Sequence, residues 1–323
     1  MSAYVGNKKI RIAKYKPKRP NFFKSLRKYP QLYLMMLPCL IFLIILRYVP
    51  MLGVQIAFRD YWPWFGLDGI FNAEWVGLLH FRNLFQGGLF TQILRNSLSI
   101  SALQLAFGFP APIILALLIN EVTARKYKRT VQTITYLPFF LSWVVIYGIL
   151  FNLLNTTYGT VNVLLRNLGF DAIPFLSDPD WLYPTLVFSS VWRSVGFGSI
   201  IYLAALTGID PELYEAAHAD GAGRFRMMLH ITIPLLKPIA AMMLCLQIGS
   251  ILSNDLQQLI VFVRSPLQER IGTTFEYHVF ATGFRGGRFS YGTAVGLFQS
   301  LVGLTLVIPA NAMAKKMGYL GLF

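Results

Sequence analysis

The sequence predicts an all-α integral membrane protein with six transmembrane helices and both termini on the cytoplasmic side. Three observations carry that expectation. Hydrophobic residues make up 55% of the 323-residue chain and charged ones only 13%, about half the charged share of a soluble domain. Six apolar segments, near 32–58, 93–119, 131–155, 182–207, 236–263 and 291–312, are long enough for a hydrocarbon core of about 30 Å, which takes about 20 residues of helix. The charge is also sorted between alternate loops. Segments placed inside hold 10 Lys/Arg (1–31), 4 (120–130), 3 (208–237) and 2 (315–316), 19 in all, against 7 in the outside loops, as the positive-inside rule requires.

In chain order, residues 1–31 form a basic cytoplasmic arm. The net charge of +15 could suggest a nucleic-acid partner, but ten Lys/Arg and no acid stand in this arm, just before the first apolar run. That placement marks a membrane flank able to touch anionic lipid, and no nucleic acid is expected. Leu32–Leu46 is short enough for a signal peptide, yet no small-x-small cleavage site follows and Arg47-Tyr48-Val49-Pro50 leads into more apolar sequence; it reads as an uncleaved anchor. The first transmembrane helix and an extracytoplasmic loop with Asp60, Asp68 and Glu74 occupy 32–90. Residues 91–312 make the main body, interrupted by a polar loop at 210–238, and 313–323 form a cytoplasmic tail.

Catalysis is not expected. Cys39 and Cys245 lie inside apolar runs without disulfide or metal-ligand spacing and read as small buried residues. No phosphate-binding glycine loop, HExxH or Ser/His/Asp constellation is present, and His80, His218, His230 and His278 read as polar surface residues.

Polar residues inside spans are costly and mark functional candidates. In the fifth span Gln247, Ser250, Asn254 and Gln258 recur at helical spacing within about an 80° arc. They face either a substrate path or a neighbouring helix, and Asp255, about 100° from the centre of that arc, could equally pair with a neighbouring span. In the fourth, Arg193 shares a face with Ser189 and Gly196 and either binds substrate or pairs with an acid. In the sixth, Gly292, Gly296 and Gly303 suggest close helix packing, with Gln299 as a ligand contact.

The loop from Tyr214 to Pro238, YEAAHADGAGRFRMMLHITIPLLKP, is a polar island between two spans. Asp210-Pro211-Glu212 supplies an N-cap residue, a first-turn proline and a first-turn acid ahead of the helix former Leu213–Ala219. Gly221 and Gly223 break that helix or admit another backbone. A second short helix is expected from about Arg224 to Thr232, ended by Pro234. So much internal order in a loop suggests docking to a partner.

These residues also resemble a known motif. Glu215-Ala216-Ala217, three residues, Gly221, nine residues and Ile231-Thr232-Ile233-Pro234 look like the EAA motif of ABC-importer permeases, with Ile233 where Leu is usual. Tyr48-Val49-Pro50-Met51, Trp75-Val76-Gly77-Leu78, Phe109-Pro110-Ala111-Pro112, Thr133–Trp143, Gly198–Ala205 and Ser290–Leu297 resemble the LplB-like, MalF-type permeases of polysaccharide and oligosaccharide importers. Phe139 stands where that branch often has His, so a role of that His does not carry over. The resemblance, over about residues 30–316, implies the type I importer permease fold in the cell membrane. It implies ATPase coupling through Glu215, Ala216, Ala217, Asp220, Gly221, Ile231 and Pro234.

It further implies a second homologous permease forming a heterodimer, two ATPase subunits carrying ATP and magnesium, an extracytoplasmic solute-binding protein and an oligosaccharide substrate. No cofactor is expected in this chain. An ion-coupled sugar transporter is the alternative, but it needs mid-membrane acids and only Asp255 is available. A membrane enzyme acting on sugars lacks a catalytic constellation.

Overall fold

The computed structural model describes residues 3–5, 8–10, 26–316 and 318, in two units, 1–54 and 55–323. Most of the expected basic arm and the end of the expected tail lie outside the described residues. Within the arm, β1 (Ala3–Val5) pairs antiparallel with β2 (Lys8–Ile10), Tyr4 opposite Lys9. Everything else that is regular among the described residues is helical.

Among the described residues five helices are long and apolar enough to cross a membrane: α1 (Pro30–Phe58), α4 (Phe90–Glu121), α8 (Pro179–Thr207), α10 (Arg224–Gly249) and α14 (Phe289–Lys316). The sixth candidate is a bent pair, α5 (Arg125–Phe140) and α6 (Trp143–Leu154), whose axes differ by 108°. Between the spans run α2 (Gly66–Asn72), α3 (Leu79–Gln86), α7 (Thr160–Asn167), α9 (Pro211–Ala219), α11 (Leu256–Phe262), α12 (Pro266–Gly272) and α13 (Phe275–His278).

Two expected spans are corrected. The segment 131–155 is not one straight helix. Pro138 sits at the start of a tight 3-10 turn (Leu137–Phe140), Leu141 and Ser142 are extended, and the Ser142 hydroxyl accepts the Val145 N–H to cap the new helix α6. The segment 236–263 is likewise two helices, because α10 ends at Gly249 and α11 begins only after Asp255. The helix of the fifth span is therefore Arg224–Gly249, starting inside the polar loop.

Prolines do not end these spans. A π-turn precedes each of three of them: Ile44–Tyr48 before Pro50, Gln104–Gly108 before Pro110, and Met228–Thr232 before Pro234. Proline cannot donate to the carbonyl four residues back and its ring collides with it. Each π-turn spans that carbonyl and lets the chain go round it, so the helix continues in the membrane with its remaining groups bonded.

α8 stands at the centre of the second unit. Its Leu186 packs with Ile146, Leu150, Leu259 and Phe262 of α6 and α11. Its Tyr202 and Leu206 pack with Ala116 and Ile119 of α4 and Leu236 of α10. A Cβ on Gly196 would run into the Thr135 carbonyl, so this glycine lets α5 and α8 touch backbone to backbone.

Candidate functional site

The polar loop folds as a hairpin of α9 and the start of α10. The Asp210 carboxylate caps α9 by accepting the Glu212 N–H at 3.0 Å. At its other end the Ala222 N–H reaches the Ala217 carbonyl (2.9 Å) and the Gly221 N–H reaches the His218 carbonyl (3.0 Å). This is a Schellman closure with Gly221 in the left-handed region at φ +77°. A Cβ on Gly221 would meet nothing within 4 Å, so the backbone conformation, and not a close approach within this chain, demands glycine here.

The Tyr214 and Thr232 hydroxyls lie 3.0 Å apart and tie α9 to α10. Glu215, Ala216, Asp220 and Gly221 are exposed, while Ala217, Ile231 and Pro234 are half-buried. Leu213, Phe225 and Leu229 add exposed apolar surface beside them; Phe225 and Leu229 were not singled out in the sequence. The expected second helix, ending at Pro234, is corrected: it runs on through Pro234 to Gly249 as α10, roughly 39 Å in all.

The far end of α10 opens into the unwound segment Ser250–Asp255, whose last four residues are held by three different helices and the bend of the third span. The Gln299 amide of α14 donates to the Leu252 carbonyl (2.9 Å) and the Ser253 hydroxyl (3.1 Å). The Asn254 amide donates to the Ser101 hydroxyl of α4 (3.1 Å). Asp255 caps α11 by accepting from the Gln257 and Gln258 N–H groups, and its other oxygen accepts from the Trp143 indole of α6 (2.6 Å). Arg193 of α8 comes within 3.9 Å of that same oxygen.

The four-residue polar arc of the fifth span is therefore corrected. With the helix ending at Gly249, Gln247 and Ser250 line a 300 Å³ cavity between α4, α8 and α10. Asn254 and Gln258 are buried, and the Gln258 amide donates to the Leu186 carbonyl (2.7 Å) and the Ser189 hydroxyl (2.9 Å). Asp255, off that arc by helical geometry, pairs with neighbouring spans through Trp143 and Arg193 and is among the most engaged polar residues here.

Of the two readings open for Arg193, the structure shows pairing with an acid. The guanidinium lies over the rings of Trp143 (4.8 Å) and Phe139 (5.4 Å), and its Nε donates to the Leu141 carbonyl freed by the bend. Gln299 also bonds Glu276 of α13. Burial pushes the Glu276 carboxyl up from its ordinary value, against hydrogen bonds from the Asn254 backbone, Gln299 and Ser253 that pull it down. The glycines of α14 divide: a Cβ on Gly303 would sit 2.5 Å from the Gly249 carbonyl and one on Gly292 3.0 Å from the Gly283 Cα, whereas Gly296 faces open space.

Two expected surface histidines are buried. His80 lies 3.0 Å from the Arg59 carbonyl, and His278 3.0 Å from the Tyr291 hydroxyl. Burial, and then the charge of Arg288, hold His278 below the ordinary histidine value. Cys245 is buried as expected, while Cys39 is exposed along α1.

The chain matches the family described as binding-protein-dependent transport system inner membrane component over residues 108–318. It is 43% identical to protein LplB of Bacillus subtilis, covering 94% of each chain. It is also 43% identical to the polygalacturonan/rhamnogalacturonan transport system permease protein YteP of the same organism, covering 95% of each. Among solved structures it resembles a chain of a bacterial ABC transporter that imports the acidic polysaccharide alginate, with TM-score 0.80, 38% identity, and 91% of this chain and 98% of that one covered. A second alginate transporter structure, in complex with an alginate pentasaccharide-bound periplasmic protein, matches with TM-score 0.83 and 37% identity over 93% of this chain and 99% of that one. The family match and these relatives agree: the chain belongs to the family of binding-protein-dependent transport system inner-membrane components, as a multi-pass permease subunit.

Proposed function

We propose that this permease forms half of the translocation path of an ATP-driven importer for an acidic oligosaccharide, and that the Glu215 hairpin couples it to a separate ATPase. The observation that carries the reading is mechanical. One continuous helical rod, α10, with a π-turn at Met228–Thr232, joins the exposed hairpin to the clasped segment Ser250–Asp255, between cavities lined by Gln247 and Ser250 on one side and Gln299 on the other. A push on the hairpin is delivered roughly 39 Å away, where the span is unwound. Broken helices at membrane depth are where transporters place polar backbone toward a path.

The substrate class follows from the relatives named for polygalacturonan/rhamnogalacturonan and alginate. The alginate transporter bound to its loaded periplasmic protein supports a solute-binding protein as a partner here. In this reading ATP and magnesium sit on two ATPase subunits and this chain carries no cofactor. A second, homologous permease completes the path, and both termini face the cytoplasm. ATPase closure moves the hairpins and switches the path from inward- to outward-facing. Gln247, Ser250 and Gln299 line the path; Arg193, Asn254 and Gln258 shape it from behind.

The test is the assembled complex in proteoliposomes. Loaded binding protein should stimulate ATP hydrolysis, and labelled oligogalacturonide or alginate oligosaccharide should accumulate only with ATP. Uptake driven by an ion gradient without the ATPase would contradict the reading. Topology is checked in cells: a cysteine at Asp178 should react with an impermeant thiol reagent and one at Gly223 should not. Labelling at Gly223 from outside would invert the arrangement and remove the hairpin from reach of an ATPase.

A further inference from the structure

A cavity of 360 Å³ lies between the π-turn Val279–Arg285, the start of α11 and α14, within the about 300–1,000 Å³ typical of small-molecule sites. Its walls are aromatic: Phe280 and Phe284 stack with ring centres 5.9 Å apart, and Phe289 meets Phe284 edge-on at 6.2 Å. Its polar end is the Glu276–Gln299 pair. Glu276 Oε1 takes the Gln299 amide; the Asn254 backbone and Ser253 lie near enough to favour the carboxylate, yet buried Oε2 makes no hydrogen bond of good geometry among the described residues. A buried polar atom left unpaired calls for an explanation, and an absent ligand is one. The glycines supply the second observation. Gly292 and Gly303 are pressed against backbone, but a Cβ on Gly296 would meet nothing within 4 Å. Gly296 is thus not a packing glycine; it keeps this cavity open.

We infer that this cavity is a subsite for one pyranose ring of the transported chain, its C–H face against Phe280, Phe284 and Phe289 and its hydroxyls toward Glu276 and Gln299. The inference rests on the oligosaccharide-importer reading and adds a location to it. An acyl chain has no use for the acid and amide at the closed end. A partner helix is too broad for a single-ring space walled by three phenylalanines. Burial raises the Glu276 carboxyl above its ordinary value, the direction that eases charge repulsion with an acidic sugar.

The test fills the cavity. With nothing near its Cβ, Gly296→Leu enters the space without moving backbone. The complex carrying it should co-purify with the ATPase as wild type does, while uptake of a labelled alginate trisaccharide falls about tenfold or more. A cysteine at Gly296 gives a second readout. An impermeant methanethiosulfonate should label it in the assembled complex, and sugar-loaded binding protein should slow that labelling when ATP drives transport. Normal uptake by Gly296→Leu overturns the subsite. So does a cysteine that reacts in this chain alone but is shielded in the complex whether or not sugar is present, since the partner permease then fills the space. Wild-type complex that takes up neither alginate nor galacturonate oligosaccharides defeats the importer reading itself, a failure distinct from normal uptake by the variant.

Discussion

The two ends of α10 are built on opposite principles. At the hairpin end, Glu215, Ala216, Asp220 and Gly221 are exposed, and the shape is set by residues near in sequence: Asp210 starts α9, Gly221 ends it, and the Tyr214–Thr232 contact closes the pair. At the other end, Leu252–Asp255 are gripped by Gln299, Ser101, Trp143 and Arg193, residues far away in the chain. The first end offers a preformed surface outward; the second gathers the helices inward. A lever needs both, one end free to be pushed and one end attached to what must move.

The largest effect that sharpens this contrast is expected at Asp255. Asp255→Leu removes the cap of α11 and the acceptor for Trp143, and leaves Arg193 without its acid. From a cap worth about 1 kcal/mol and a hydrogen bond to a charged group worth about 1.5–3, a loss of about 3 kcal/mol is expected. A marked drop in the thermal unfolding midpoint of the detergent-solubilised complex would register it. Asp255→Asn, which keeps a capping oxygen, should lose less. Equal behaviour of the two would remove Asp255 from the junction.

Next comes Gln258→Leu. It strips the donor from the Leu186 carbonyl and the Ser189 hydroxyl in a fully buried setting, with an expected cost of about 1–3 kcal/mol. Because Gln258 faces protein, the damage should appear as lowered stability with unchanged sugar preference. A change in preference at wild-type stability would return Gln258 to the path surface.

The smallest stability effect is expected at the exposed end. Gly221→Val forces a β-branched residue into the left-handed region, a local strain of about 1–2 kcal/mol at a position with nothing packed on it. The membrane body should unfold as wild type does, while the hairpin no longer fits its docking site.

The same contrast explains what was legible in the sequence. The hairpin's first helix, its cap and its glycine stop follow from local rules, and they stand where those rules put them. The junction did not follow, because hydrophobicity runs unbroken across Gly249 and helical spacing made Gln247, Ser250, Asn254 and Gln258 look like one face. The turn formers Gly249-Ser250 and Ser253-Asn254-Asp255 were the available signal, with Asp255 as an N-cap. Pro138 followed by Ser142 announced the bend of the third span in the same way. The π-turns that carry α1, α4 and α10 past their prolines leave no pattern in the residues beyond the proline itself. That is why Pro234 read as a stop. Burial of His80 and His278 also depends on partners distant in sequence, Arg59 and Tyr291, that no local reading supplies.

The central claim is that one end of α10 engages the ATPase while the other holds the membrane body together. It is tested most directly by measuring, side by side in Gly221→Val and Gln258→Leu complexes, binding-protein-stimulated ATP hydrolysis and the unfolding midpoint of this subunit. The account predicts a double dissociation. Gly221→Val abolishes stimulated hydrolysis with its midpoint unchanged, and Gln258→Leu lowers the midpoint while still capturing the ATPase. Wild-type stimulation in Gly221→Val, or collapse of its membrane body, would contradict it.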